Sequence, residues 1–297
     1  MDQLESEKQT ILSYTLEQSH GYTRILVQLF GSTGHGKSSL INSFIYALNG
    51  GKFQMAAQVH LDEGQESFGG LTTVRKSHQL TDSITVVDNR GFGKMDDYET
   101  GEIFVQLANI LQLDESVKFE DNTFENNVDR VTGAEMNCTD LIVPLYVYSA
   151  ESRFEEQRGE EIRQFLETAK KMTGMVPIVV LTKKYSSGYK NVEDNLKSMG
   201  IECIIGVENY TPQDYVRTPG KDKQFLTILQ KVLELVNFHT TNGNVYDPKE
   251  EHRKRLKMLL MMAKEREVAK LSKDEKKNVK EELKDKNPPE KNYCFVS

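Results

Sequence analysis

The feature that most restricts this chain is the octapeptide "GSTGHGKS", Gly31 to Ser38, taken with its flanks. Before it stands "RILVQLF", residues 24–30, an apolar run with β-branched and aromatic content that reads as a buried strand. After it, "KSSLINSFIYAL" spaces Leu40, Ile41, Phe44, Ile45 and Leu48 at helical intervals and stops before Asn49, Gly50 and Gly51. Strand, glycine loop and helix in this order supply the context that the pattern G-x-x-x-x-G-K-[ST] requires, which makes a chance glycine turn a poor alternative. The backbone amides of Gly31, Ser32, Thr33, Gly34, His35 and Gly36 and the helix N-terminus are expected to face phosphates. Lys37 adds an ammonium for the β and γ oxygens, and Ser38 a hydroxyl for Mg2+.

The rest of the chain alternates in the same way. Strands are expected at 73–80, 83–88, 141–149, 176–182 and 201–207, with helical patterns around 98–113, 154–173, 189–199 and 221–238. This predicts an α/β fold with a mostly parallel central sheet covered by helices on both faces, and an antiparallel pair at 73–80 and 83–88. Ligands in such sheets sit at the carboxyl ends of the strands, where every motif in this chain falls. Three parts are expected: a helical extension over 1–23, a P-loop domain over 24–245 and a charged helical tail over 246–297. The polar stretch 114–137 reads as a surface excursion, and the Met-rich first half of the tail as a helix docked on the body.

Composition narrows the functional classes. The net charge of -7 divides into +5 over residues 249–293 and -12 elsewhere, which argues against a general nucleic-acid binder. No apolar run reaches the length of a spanning helix, and "MDQLESEKQT" has no signal-peptide core, so a cytosolic location is expected. Cys138, Cys203 and Cys294 show no disulfide or metal-ligand spacing.

Two later motifs distinguish among phosphate-binding classes. Thr72 and Thr73, after "FGGL", lie where a GTPase supplies a threonine to Mg2+ and the γ-phosphate, although two β-formers opening a strand would look the same. "DNRG", Asp88 to Gly91, follows an apolar strand; such an Asp holds a metal-bound water and such a glycine amide senses the γ-phosphate. The expected metal set is thus Ser38, Thr73 and Asp88.

With these residues the chain resembles P-loop GTPases, in particular the larger dynamin-like and interferon-inducible members. "GKSSLINS", "GGLTTV", "VVDNRGFG", "LIVPLYVYSA", "VLTKKY" and "IIGVENYT" together resemble the interferon-induced protein 44 group over residues 24 to about 240. The resemblance implies GTP or GDP as ligand and adds Ser39 to the phosphate set. Thr182 and Lys183 would flank the base, and Asn209 would make a backbone contact near the ring. It also suggests a nucleotide-dependent homodimer.

The sequence departs from that pattern twice. Tyr185 occupies the position at which an Asp would pair with guanine N1 and N2, so GTP selectivity does not follow and ATP stays admissible. Phe92 follows Gly91 where small GTPases often carry a water-orienting Gln, which predicts slow intrinsic hydrolysis. His35, Arg75 and Arg90 are weak catalytic candidates; a solvent-facing loop histidine and a strand-surface arginine are the alternatives for the first two.

The last four residues, "CFVS", fit a prenylation box that favours a farnesyl group on Cys294. One lipid chain gives only reversible membrane residence. The expected function is therefore a nucleotide-binding switch, with a fraction tethered to cytosolic membrane surfaces. A non-hydrolysing scaffold and a base-promiscuous NTPase are the competing readings.

Overall fold

The computed structural model of the chain describes residues 3–17, 21–57, 74–92, 97–114, 139–241, 247–265 and 268, with backbone only at 97–100. Thr72, Thr73, Cys138, Cys294, the excursion over 114–137 apart from Asp114, and the tail beyond 268 lie outside the described residues.

The elements in chain order are α1 (Gln3–Leu12), β1 (Arg24–Phe30), α2 (Lys37–Asn49), β2 (Lys76–Gln79), β3 (Ile84–Asp88), α3 (Asp97–Leu107) and β4 (Asp140–Ser149). They continue with α4 (Glu156–Thr173), β5 (Ile178–Thr182), α5 (Tyr189–Ser198), β6 (Ile204–Gly206) and α6 (Pro219–Thr241). A further helix, α7, spans 248–265. Six strands form one sheet in the order β2-β3-β1-β4-β5-β6, in which only the β2–β3 pair is antiparallel. The expected α/β architecture with a mostly parallel sheet is thus present.

Alternation along the strands divides the core into two layers. In β4, Val143, Leu145 and Val147 face one cluster with Phe44 of α2 and Phe225 and Leu229 of α6. Ile142, Tyr146 and Tyr148 face the other, with Phe104 of α3, Phe165 of α4 and Leu196 of α5. Burial on both faces explains why β1, β3, β4 and β5 read as continuous apolar runs rather than alternating ones.

The flanking helices α1 and α7 share these layers. Ile11 of α1 is fully buried in the first cluster, and the Glu7 carboxylate pairs with Lys223 of α6. Leu259 and Ala263 of α7 are buried in the second, with Leu256, Met258 and Met262 packed against it. Where α7 begins, Glu251 Oε2 accepts a 2.8 Å hydrogen bond from the Tyr22 hydroxyl, and Glu251 lies beside His239 and Arg255.

Candidate nucleotide site

The carboxyl ends of β1, β3 and β5 converge on the loop between β1 and α2. Gly31 leaves the strand at φ 140, and a Cβ there would stand 2.1 Å from the Val147 carbonyl oxygen, so only glycine allows β1 to turn so close to β4. Gly36 caps α2 at φ 90, and no side chain caps the helix, so its first amides are available to an anion.

Inside this loop Lys37 is buried at 6 % exposure, its Nζ donating to the carbonyls of Gly31 at 2.9 Å and Ser32 at 3.1 Å. Burial pulls its pKa down to about 8, against a smaller opposing pull from Asp88. Two carbonyl dipoles are weak compensation for a desolvated ammonium, and an anionic ligand at the same place is far better compensation.

Asp88, at the end of β3, is 3 % exposed. Its Oδ2 accepts from the Ser38 hydroxyl at 2.5 Å, whereas its Oδ1 is buried without a hydrogen-bond partner. Burial raises its pKa, with Lys37 and Ser38 pulling the other way. An orphaned carboxylate oxygen beside a hydroxyl and a lysine suits a hard cation held by oxygen ligands, water and phosphate. Among the described residues there is no group of three or more His, Cys, Asp and Glu side chains that could hold a metal ion.

Gly91 and Phe92 tie the next segment to the loop. The Thr33 amide donates to the Phe92 carbonyl at 3.2 Å, and a Cβ on Gly91 would meet the Lys37 ammonium at 2.9 Å. The Gly91 backbone therefore lies against the lysine that would meet the terminal phosphate. Phe92 itself is 1 % exposed and packs against Tyr146, so its side chain belongs to the core.

On the opposite wall, the Thr182 hydroxyl at the end of β5 donates to the His35 carbonyl at 2.9 Å. The Asn209 amide, after β6, donates through Nδ2 to the Gly36 carbonyl at 3.0 Å. The sequence predicts a backbone contact from Asn209 near the base; the structure shows its side chain buttressing the glycine loop at Gly36. Lys183 takes a left-handed conformation at φ 60, with its Nζ 3.9 Å from Glu151. Thr33 and Gly34 stand at the exposed crest of the loop, and Ser39 lies one residue along α2 from Ser38.

The catalytic candidates separate. His35 stands edge-on to Tyr148 at 4.8 Å, with Nε2 3.1 Å from the Ser152 hydroxyl. Burial, then Lys37 and Arg158, push its pKa down to about 3. It is a neutral wall residue rather than a solvent-facing one. Arg75 is fully buried, which corrects the strand-surface reading, because its guanidinium is spent on structural acceptors. It donates to Asn89 Oδ1 at 3.0 Å, the Leu111 carbonyl at 2.5 Å and Asn109 Oδ1 at 2.9 Å. Desolvation lowers its pKa to about 9. Arg90 is half-buried. Sequence reasoning missed Asn89, whose Nδ2 passes the network on to Gln28 at 3.3 Å. A polar residue inside "DNRG" was its only signal.

The sequence matches no protein-family model. It also matches no curated protein. Among solved structures, the chain is similar to Toc33 from Arabidopsis thaliana in complex with GDP and Mg2+, at 13 % identity and a TM-score of 0.49, covering 80 % of this chain and 93 % of that one. The same protein in complex with Mg2+ and GMPPNP gives 14 % identity and a TM-score of 0.47, covering 80 % and 93 %. Translation elongation factor SelB from Methanococcus maripaludis, in complex with GppNHp, gives 15 % identity and a TM-score of 0.35, covering 75 % of this chain and 35 % of that one. Likenesses this distant assign no function.

Proposed function

We propose that this chain is a nucleotide-dependent switch that takes a guanine nucleoside triphosphate with Mg2+ on the loop Gly31–Ser39. The observation that carries the reading is the buried Lys37 ammonium, held by two loop carbonyls, with the orphaned Asp88 Oδ1 and the Gly91 backbone beside it. On binding, Lys37 exchanges the Gly31 and Ser32 carbonyls for phosphate oxygens, and the α2 amides take the inner phosphates. Ser38 and Asp88 would hold Mg2+, which offsets charge on the phosphate oxygens. Loss of the terminal phosphate would release Gly91.

Hydrolysis is expected to be slow, because Phe92 offers no polar group at its position and its ring is buried. Prenylation of Cys294, reversible residence on a membrane surface and pairing with a second copy belong to the same proposal and rest on the sequence. Among the described residues no helix is long and apolar enough to cross a membrane.

The test is a titration of the Mg2+-loaded protein with fluorescent GTP, GDP and ATP analogues, with Lys37→Ala as the blank. Lys37-dependent binding with GTP preferred supports the reading. No binding of any nucleotide overturns it and favours a scaffold that keeps only the fold. Incorporation of a labelled farnesyl group, lost in Cys294→Ser, tests the tether.

A further inference from the structure

The base side of the site carries a carboxylate that the loss of aspartate at position 185 leaves unexplained. Tyr185 turns its ring outward, at 75 % exposure, and its hydroxyl accepts from Gln224 Nε2 at 3.4 Å. Its backbone amide instead donates to Glu208 Oε2 at 3.4 Å. An aspartate side chain at 185 would spring from this same amide unit.

Several contacts fix Glu208 at that place. Its own amide donates to Gln224 Oε1 at 2.8 Å, so one glutamine holds both Tyr185 and Glu208. The Lys184 amide donates to the Val207 carbonyl at 3.2 Å, joining the loop after β5 to the loop after β6. The next residue, Asn209, is bonded to Gly36 of the phosphate loop. Glu208 is half-buried between these anchors, and among the described residues nothing donates to its Oε1.

We propose that Glu208 is the specificity-determining residue of the site, its carboxylate accepting from guanine N1–H and the 2-amino group in place of the absent aspartate. The inference rests on the nucleotide reading above. Guanine presents two adjacent donors on this edge, which a carboxylate satisfies with both oxygens. Adenine presents an acceptor at N1 and would leave a carboxylate facing a lone pair, an arrangement a polar site rejects strongly. The acceptor has moved from the strand-end loop at 182–185 to the loop at 207–209.

Xanthine supplies a probe that a merely structural role would not answer. It keeps N1–H and replaces the 2-amino group by a carbonyl, so it offers one donor and one acceptor, which suits a carboxamide. Binding of GTP, ATP and XTP is measured by competition with Mg2+ for the wild type, Glu208→Gln and Glu208→Ala, with thermal melting as the folding control. The wild type is expected to prefer GTP. Glu208→Gln should weaken GTP at least tenfold and strengthen XTP at least tenfold, whereas Glu208→Ala should weaken GTP without gaining XTP. A GTP preference that survives Glu208→Gln overturns the assignment while leaving the nucleotide reading intact. Equal wild-type affinity for the three triphosphates, or equal weakening of all three in both variants, also overturns it. Failure of the wild type to bind any of them removes the nucleotide reading itself.

Discussion

The two ends of the proposed nucleotide site are built to different standards. At the phosphate end Lys37, Asp88 and Thr182 are nearly fully buried, and Gly31 and Gly36 take positive φ under close approach by neighbouring atoms. At the base end Tyr185 is mostly exposed, Lys183 reaches Glu151 only at 3.9 Å, and Glu208 touches Tyr185 through one long hydrogen bond. A triphosphate has one chemistry, so the geometry that receives it can be fixed by burial. A base edge is read by a few acceptors at the rim, where residues exchange positions at little cost to the fold.

The sharpest break in this comparison is Gly31→Ala. Its Cβ would collide with the Val147 carbonyl oxygen at 2.1 Å in a backbone conformation unfavourable to alanine, so stability should fall by about 3 kcal/mol or more. Urea unfolding reads this directly. Gly91→Ala is gentler on the fold, since the two atoms nearest its methyl, the Thr33 hydroxyl at 2.7 Å and the Lys37 ammonium at 2.9 Å, are side-chain ends rather than backbone. Displacing that ammonium should weaken triphosphate binding about tenfold, ~1.4 kcal/mol, measured by titration.

Acid separates the ends as well. His35 is held neutral in the fold, with a pKa of about 3 against an ordinary 6.5, so between those values the unfolded chain binds the extra proton. Its contribution is intact above pH 6.5 and is lost as pH falls toward 3, by no more than about 1.4 kcal/mol per pH unit. The difference in urea midpoint between wild type and His35→Asn, followed from pH 7 to pH 4, isolates that slope. Tyr185→Ala should do least: with the ring three-quarters exposed, stability is expected to stay within about 0.5 kcal/mol by thermal melting.

What was legible in the sequence follows from chain distance. The phosphate loop is eight consecutive residues, and Asp88 and Gly91 stand at a strand end, so local pattern sufficed to propose all of them. The buttress from Asn209 to Gly36 joins positions 173 residues apart, and a side-chain amide gives no periodic signal of its destination. Arg75 misled for a related reason. An arginine opening a strand reads as solvated, and only the fold brings Asn89, Asn109 and the Leu111 carbonyl around it. The loss of aspartate at 185 was visible at once. Glu208 was not, because the loop it stands on meets the loop after β5 only through tertiary contacts.

The hydrogen bond from Tyr22 to Glu251 has a consequence in time. Its partners are 229 residues apart, and at about 5–20 residues per second on a ribosome the first waits roughly ten to forty-five seconds for the second to be made. Throughout that interval the strand entry at residue 22 stands without the helix that later covers it. The nascent chain therefore keeps this seam open until residue 251 has been made and α7 can fold over it.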